Sequence, residues 1–94
     1  MSNIDVTEVV EDIRETLDSY GFKVRDADGT DYQKGTDSGL RFKVGTKHGE
    51  VTVAVYRAGR PVKYLRVTTY EHLGAVTHAI GRYIENHATR TAGR

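Results

Sequence analysis

The sequence predicts an α+β domain: a two-layer sandwich in which a helix, a four-stranded antiparallel sheet and a second helix follow in that order. Both helices lie on one face of the sheet. Two observations predict it. Apolar residues recur at helical spacing near both ends of the chain and with a period of two between them. Each strand so read has one apolar face and each helix one apolar stripe. Packing both helices on one side of the sheet buries all of these and leaves the other side in water. Ninety-four residues are enough for one such domain with one core.

Val6, Val9, Val10, Ile13, Leu17 and Tyr20 form the first stripe, with Glu8, Glu11, Asp12, Glu15 and Asp18 on the opposite side. "DVTE" from Asp5 to Glu8 has capping-box form, its acids suit the positive end of the helix dipole, and Gly21 is a natural stop. "FKVR" then alternates Phe22 and Val24 with Lys23 and Arg25. "LRFKV" sets Leu40, Phe42 and Val44 against Arg41 and Lys43, and "VTVAVY" sets Val51, Val53 and Val55 against Thr52, Ala54 and Tyr56.

The fourth strand, "PVKYLRVT", is ambiguous, because Val62 and Tyr64 compete with Leu65 and Val67 for the core. Hairpin parity decides. A three-residue loop of Ala58, Gly59 and Arg60 pairs Val53 with Leu65 and Val51 with Val67, whereas a two-residue loop buries Arg66. The odd loop is therefore expected, with Lys63 snorkelling at the rim of the core face.

"TTYE" matches a capping box with Glu71 at its third position and opens the last helix near Thr68 or Thr69; the stripe of that helix is Leu73, Val76, Ala79, Ile80, Tyr83 and Ile84. Gly74 and Gly81 each weaken it by about 1 kcal/mol relative to alanine and are expected to serve close packing. The domain is expected to span residues 1–87, with 88–94 a disordered basic tail.

Helix, sheet and helix in this order resemble the architecture of double-stranded-RNA-binding domains and of toxin ribonucleases of the HicA type. The likeness is topological only. The former have a lysine-rich opening to the last helix, where this chain has "TTYEHLGAV"; the latter have a Gly-Ser-His stretch in an early strand, which this chain lacks.

Charge is sorted along the chain. Residues 1–37 hold ten acids and four bases (−6), residues 38–66 seven bases and Glu50 (+6), and the remainder adds +1, for the net +1 of the whole. The excess base thus falls in a stretch that reads as sheet, and three of its seven bases, Arg41, Lys43 and Arg66, fall on polar strand faces. The expected solvent face carries Lys43, Thr52 and Arg66 in one row, Arg41, Ala54 and Tyr64 in the next, and Tyr56 near Val62, with Lys23 and Arg25 extending it. No acid is expected among them. Thr52 and Ala54 are small, so bases and tyrosines would surround a shallow trough.

Such a face suits a polyanion: Lys and Arg neutralise phosphates, and exposed tyrosines stack on unpaired bases. An ordinary account competes with it, since long cationic side chains also cover sheets and discourage edge aggregation. The expectation is a small non-catalytic binding module contacting nucleic-acid phosphates. Arg41, Lys43 and Arg66 would be its electrostatic core, Tyr56 and Tyr64 its stacking elements, and Lys23 and Arg25 its supporting contacts. Reversing charge at Arg41 and Lys43 should then abolish binding with little change in thermal midpoint. Two alternatives share these residues or their opposites. The same face could dock an acidic protein or a second copy, with Tyr56, Val62 and Tyr64 as anchors. The acidic first helix could instead mimic nucleic-acid charge.

Other candidates are weaker. "RDADGTDYQKGTDSG" holds four aspartates but not the EF-hand pattern, and reads as a mobile loop in which Tyr32 and Lys34 could touch a partner. His48, His72, His78 and His87 include no i, i+4 pair, and with no cysteine neither a metal, a cofactor nor an enzyme is expected. No small-molecule substrate and no membrane partner is implied. The acidic start lacks a signal core, so a cytoplasmic location is expected.

Overall fold

Local chemistry sets where the helices begin. Helix α1 (Val6–Ser19) opens at Asp5, whose Oδ1 accepts the N–H groups of Thr7 (3.1 Å) and Glu8 (3.3 Å). Helix α2 (Tyr70–Ala92) opens at Thr69, whose hydroxyl accepts the N–H of His72 at 3.2 Å. The reciprocal partner is His72 rather than the expected Glu71. Its Nδ1 accepts the N–H of Thr68 at 3.3 Å and lies 2.9 Å from the Thr68 hydroxyl. The Tyr70 hydroxyl in turn accepts the Asp5 N–H at 3.0 Å and ties the two helix starts together. This computed structural model describes residues 4–92, with the backbone alone described at 37, 38 and 90–92.

Between the helices run β1 (Phe22–Val24), β2 (Asp31–Lys34), β3 (Asp37–Lys47), β4 (Glu50–Arg57) and β5 (Arg60–Val67). They form one antiparallel meander in the order β1-β2-β3-β4-β5. The sheet has five strands where four are expected. The extra one is "DYQK", in the stretch that reads as a mobile loop. A clasp makes it possible. Asp26 Oδ1 accepts the N–H groups of Thr30 and Asp31, each at 2.9 Å, and its Oδ2 accepts the Thr30 hydroxyl at 2.7 Å. The turn so closed delivers Tyr32 into the core at 1% exposure, so Tyr32 is not a partner contact. Arg14 Nε donates to the Tyr32 hydroxyl at 3.4 Å, a bond that raises the Arg14 pKa above its ordinary value.

Both helices cover one face of the sheet. Val9, Ile13 and Leu17 of α1 and Val76, Ile80 and Ile84 of α2 meet Phe22, Leu40, Phe42, Val44, Val51, Val53, Val55 and Val67. The Phe22 and Phe42 rings meet edge to face, with centroids 5.3 Å apart. Gly81 is buried against α1: a Cβ built there would lie 2.6 Å from the Tyr20 hydroxyl, as close packing requires. Gly74 has nothing within 4 Å of such an atom, so the packing role expected for it does not hold. Helix α2 also continues to Ala92, so residues 88–92, expected in the tail, have helical backbone; the last two residues lie outside those described.

Two tight turns set the register of β3, β4 and β5. His48–Gly49 (φ 54° and 76°) and Ala58–Gly59 (φ 54° and 81°) are two-residue connections with both residues left-handed, the twist that suits a hairpin. The first closes Lys47 on Glu50 and sets Lys43 opposite Ala54, two residues from the expected partner Thr52; a shift of two leaves the faces unchanged. The second replaces the expected three-residue loop, yet Val53 still pairs with Leu65 and Val51 with Val67. A bulge reconciles them. Tyr56 pairs with Pro61 and Val55 with Lys63, so Val62 is an extra residue that flips the parity and keeps Arg66 out of the core.

Candidate functional site

The strand pairings place the open-face residues in three rows. Lys23, Gln33, Arg41, Tyr56 and Pro61 form the first; Asp31, Lys43, Ala54 and Tyr64 the second; Gly45, Thr52 and Arg66 the third. Lys47 and Glu50 lie beyond the third row. Lys23, Arg41, Lys43, Tyr56, Tyr64 and Arg66 are on the expected face, Arg25 lies just past the end of β1 and outside these rows, and two acids join the face. Asp31 comes with the unforeseen strand β2, and Glu50 is the first residue of β4 rather than part of its turn. The expectation of an acid-free face is therefore corrected. Among the described side chains, Lys23, Arg41, Lys43, Lys47 and Arg66 stand against Asp31 and Glu50, an excess of three positive charges.

The two acids divide the cations. Arg41 Nε lies 3.6 Å from Asp31 Oδ1. Both atoms are closed to water and neither has a hydrogen-bond partner, so each is the other's compensating charge. The Arg41 guanidinium also lies over the Tyr56 ring, 5.9 Å from its centroid, within reach of a cation–π attraction. Arg41 and Tyr56 are thus engaged with each other and with β2. The pair of Arg66 Nε with Glu50 Oε2 is shorter, at 3.1 Å, but its arginine side chain is 67% exposed. A water-exposed pair of this kind contributes little and leaves Arg66 accessible.

Lys23 pairs with Asp18 at the end of α1, and Arg25 Nη1 donates to the Gly35 carbonyl at 3.2 Å. Both supporting residues therefore have internal partners. Lys43 is exposed and has no acid within ion-pair distance among the described residues. Beside it Tyr64 is 67% exposed, the most exposed large apolar side chain described.

Lys43 and Tyr64 face each other across a hollow of about 270 Å³ floored by Gly45, Thr52 and Ala54 and closed at one end by Thr30. This is the trough the small residues of β4 predict, displaced by the register shift and widened by Gly45, which sequence reasoning passed over. A Cβ on Gly45 would stand 3.3 Å from Thr52 Oγ1, so the bare backbone keeps the floor low. Strand β2 begins at Asp31, opposite Lys43, and the ladder continues only to the bond from Val44 N–H to the Thr30 carbonyl at 2.9 Å. Past that point β3 runs to Lys47 with no paired neighbour on that side among the described residues, which opens the hollow at its edge.

Asp26, which closes the neighbouring turn, has its carboxyl pKa lowered to about 2, first by the Asp31 N–H and then by the Thr30 hydroxyl. It is a structural carboxylate. Among the described residues no group of three or more His, Asp or Glu could hold a metal ion. No helix described is long and apolar enough to cross a membrane. No protein-family model matches this chain, and no curated protein or solved structure matches it.

Proposed function

We propose that the protein is a small non-catalytic module, working in the cytoplasm, that binds nucleic acid through the open face of its sheet. The observation that carries this reading is the excess of positive charge on that face, with Lys43 lacking an acidic partner among the described residues and standing beside an exposed Tyr64. Phosphates would meet Lys43, Lys47 and Arg66, while Arg41 serves the fold. Removing a phosphate contact weakens binding and also lowers its salt dependence.

The test is fluorescence anisotropy of labelled oligonucleotides at two salt concentrations. Wild-type affinity should fall with salt by a log–log slope equivalent to about three neutralised phosphates. Lys43→Glu should weaken binding roughly tenfold or more and reduce that slope by about one to two, with an unchanged thermal midpoint. Affinity that ignores both salt and Lys43→Glu would overturn the proposal.

A second reading has its own support. Tyr56, Pro61, Val62 and Tyr64 lie together on β4 and β5, and Val62 is 46% exposed. An aromatic and apolar strip rimmed by arginine is the usual anchor of a protein partner. Mass that rises with concentration in sedimentation would favour this reading over nucleic acid.

A further inference from the structure

Resting on the nucleic-acid reading, we infer that the hollow between Lys43 and Tyr64 seats a single unpaired base, so that the ligand is single-stranded. Charge alone does not distinguish a single strand from a duplex, because both present phosphates. The hollow does distinguish them. Its floor is Gly45, Thr52 and Ala54, residues with at most a methyl or hydroxyl to offer, and its wall is an aromatic ring. At about 270 Å³ it lies at the small end of ligand sites, the size for one planar ring.

A base standing edge-down on that floor would have its face against Tyr64, and the phosphate next to it would fall within reach of the Lys43 ammonium. Bases in a duplex are stacked on one another and offer no free face. A duplex can therefore meet the lysines but cannot fill the hollow. Stacking on a tyrosine is tolerant of base identity, since every base has a π face. Tyr64 is the platform because its neighbour Tyr56 already carries Arg41. The backbone of β3 beyond Val44, unpaired on the β2 side among the described residues, adds donors and acceptors at the open end of the hollow.

The experiment compares a labelled single-stranded ten-mer of thymidine or uridine with a duplex of the same length at one salt concentration, using the full chain. Wild type should bind the single strands more tightly. Tyr64→Ala should weaken single-strand binding by roughly five- to a hundred-fold while leaving duplex affinity unchanged, and Tyr64→Phe should retain it. Ala54→Leu, which fills the hollow without changing charge, should act like Tyr64→Ala. Tyr64 is exposed enough that its substitution leaves folding intact, so the result stands even where Ala54→Leu perturbs the sheet.

Equal affinity of wild type for single strand and duplex would overturn the inference. So would unchanged single-strand binding in Tyr64→Ala. In either case salt-dependent binding sensitive to Lys43→Glu leaves the broader reading in place. Failure of every oligonucleotide to bind, even at low salt, removes both.

Discussion

Arg41 and Lys43 stand two residues apart on one face of one strand, and in sequence nothing separates their roles. In the structure they belong to different regions. Arg41 faces Asp31 and covers Tyr56, and its Nε is closed to water. Lys43 stands at the lip of a hollow with no acid beside it among the described residues. The difference comes from the short strand β2, whose Asp31 pairs in register with Lys43 but turns its carboxylate to the arginine. A cation on an open sheet is therefore a candidate contact only after its intramolecular partners are known. The double charge reversal suggested by the sequence would mix a folding defect with a binding defect, and Lys43 alone is the clean variant.

Substitutions along this strand and around it sharpen the contrast. The largest effect falls on Phe42, which lies between the two cations and points into the core with no exposure. Phe42→Ala should cost about 3–5 kcal/mol in chemical denaturation. Arg41→Ala leaves Asp31 uncompensated in a half-buried setting and should cost about 1–2 kcal/mol, less than a fully buried pair. A loss equal to that of Lys43→Ala, which should stay within about 0.5 kcal/mol, would erase the distinction between the two cations.

The two α2 glycines form a smaller contrast of the same kind. Gly74→Ala meets open space and should stabilise by about 1 kcal/mol. Gly81→Ala drives a methyl onto the Tyr20 hydroxyl and should fail to gain this, unless Tyr20→Ala is made with it. Thermal melts of the three variants against wild type decide the point.

Acid tests the clasp behind β2. The Asp26 carboxyl is held at about 2 against an ordinary 3.8 by the N–H groups and hydroxyl it accepts. A depressed folded-state pKa contributes stability that is complete above the unfolded value and lost as pH falls through the folded one. The wild-type midpoint should thus drop more steeply than that of Asp26→Asn between 3.8 and about 2. Parallel curves would mean that the clasp does not hold the turn.

What could be read from sequence follows from how local each signal is. The stripe of α1, the alternation of β3 and β4, and the core identity of Leu65 and Val67 are written in neighbouring residues. Strand β2 is not. "DYQK" shows a single apolar residue, and it becomes a strand because the Asp26 clasp and the pairing with β3 hold it. Losing β2 from view hid Asp31, and with it the engagement of Arg41. Glu50 was hidden for a simpler reason: a two-residue turn carries the ladder further than a longer one, and so puts an apparent loop residue opposite Lys47 on the sheet. Thr52 and Ala54 did foretell the trough. Its full extent needed the register of β3, which brings in Gly45.

The extra residue at Val62 has a consequence for how this chain can change in length. Tight turns join strands by even counts, and the bulge at Val62 accommodates one odd residue without moving the rest of β5 to the other face. Deleting Val62 alone would remove the bulge and leave a regular ladder. Lys63 would still face Val55, Tyr64 still face Ala54 and Leu65 still face Val53, so each side chain would keep its present face. Descendants of this chain that keep the hollow can therefore lose one residue between Arg57 and Lys63 by giving up the bulge, whereas a gain of one needs a second bulge or a longer turn.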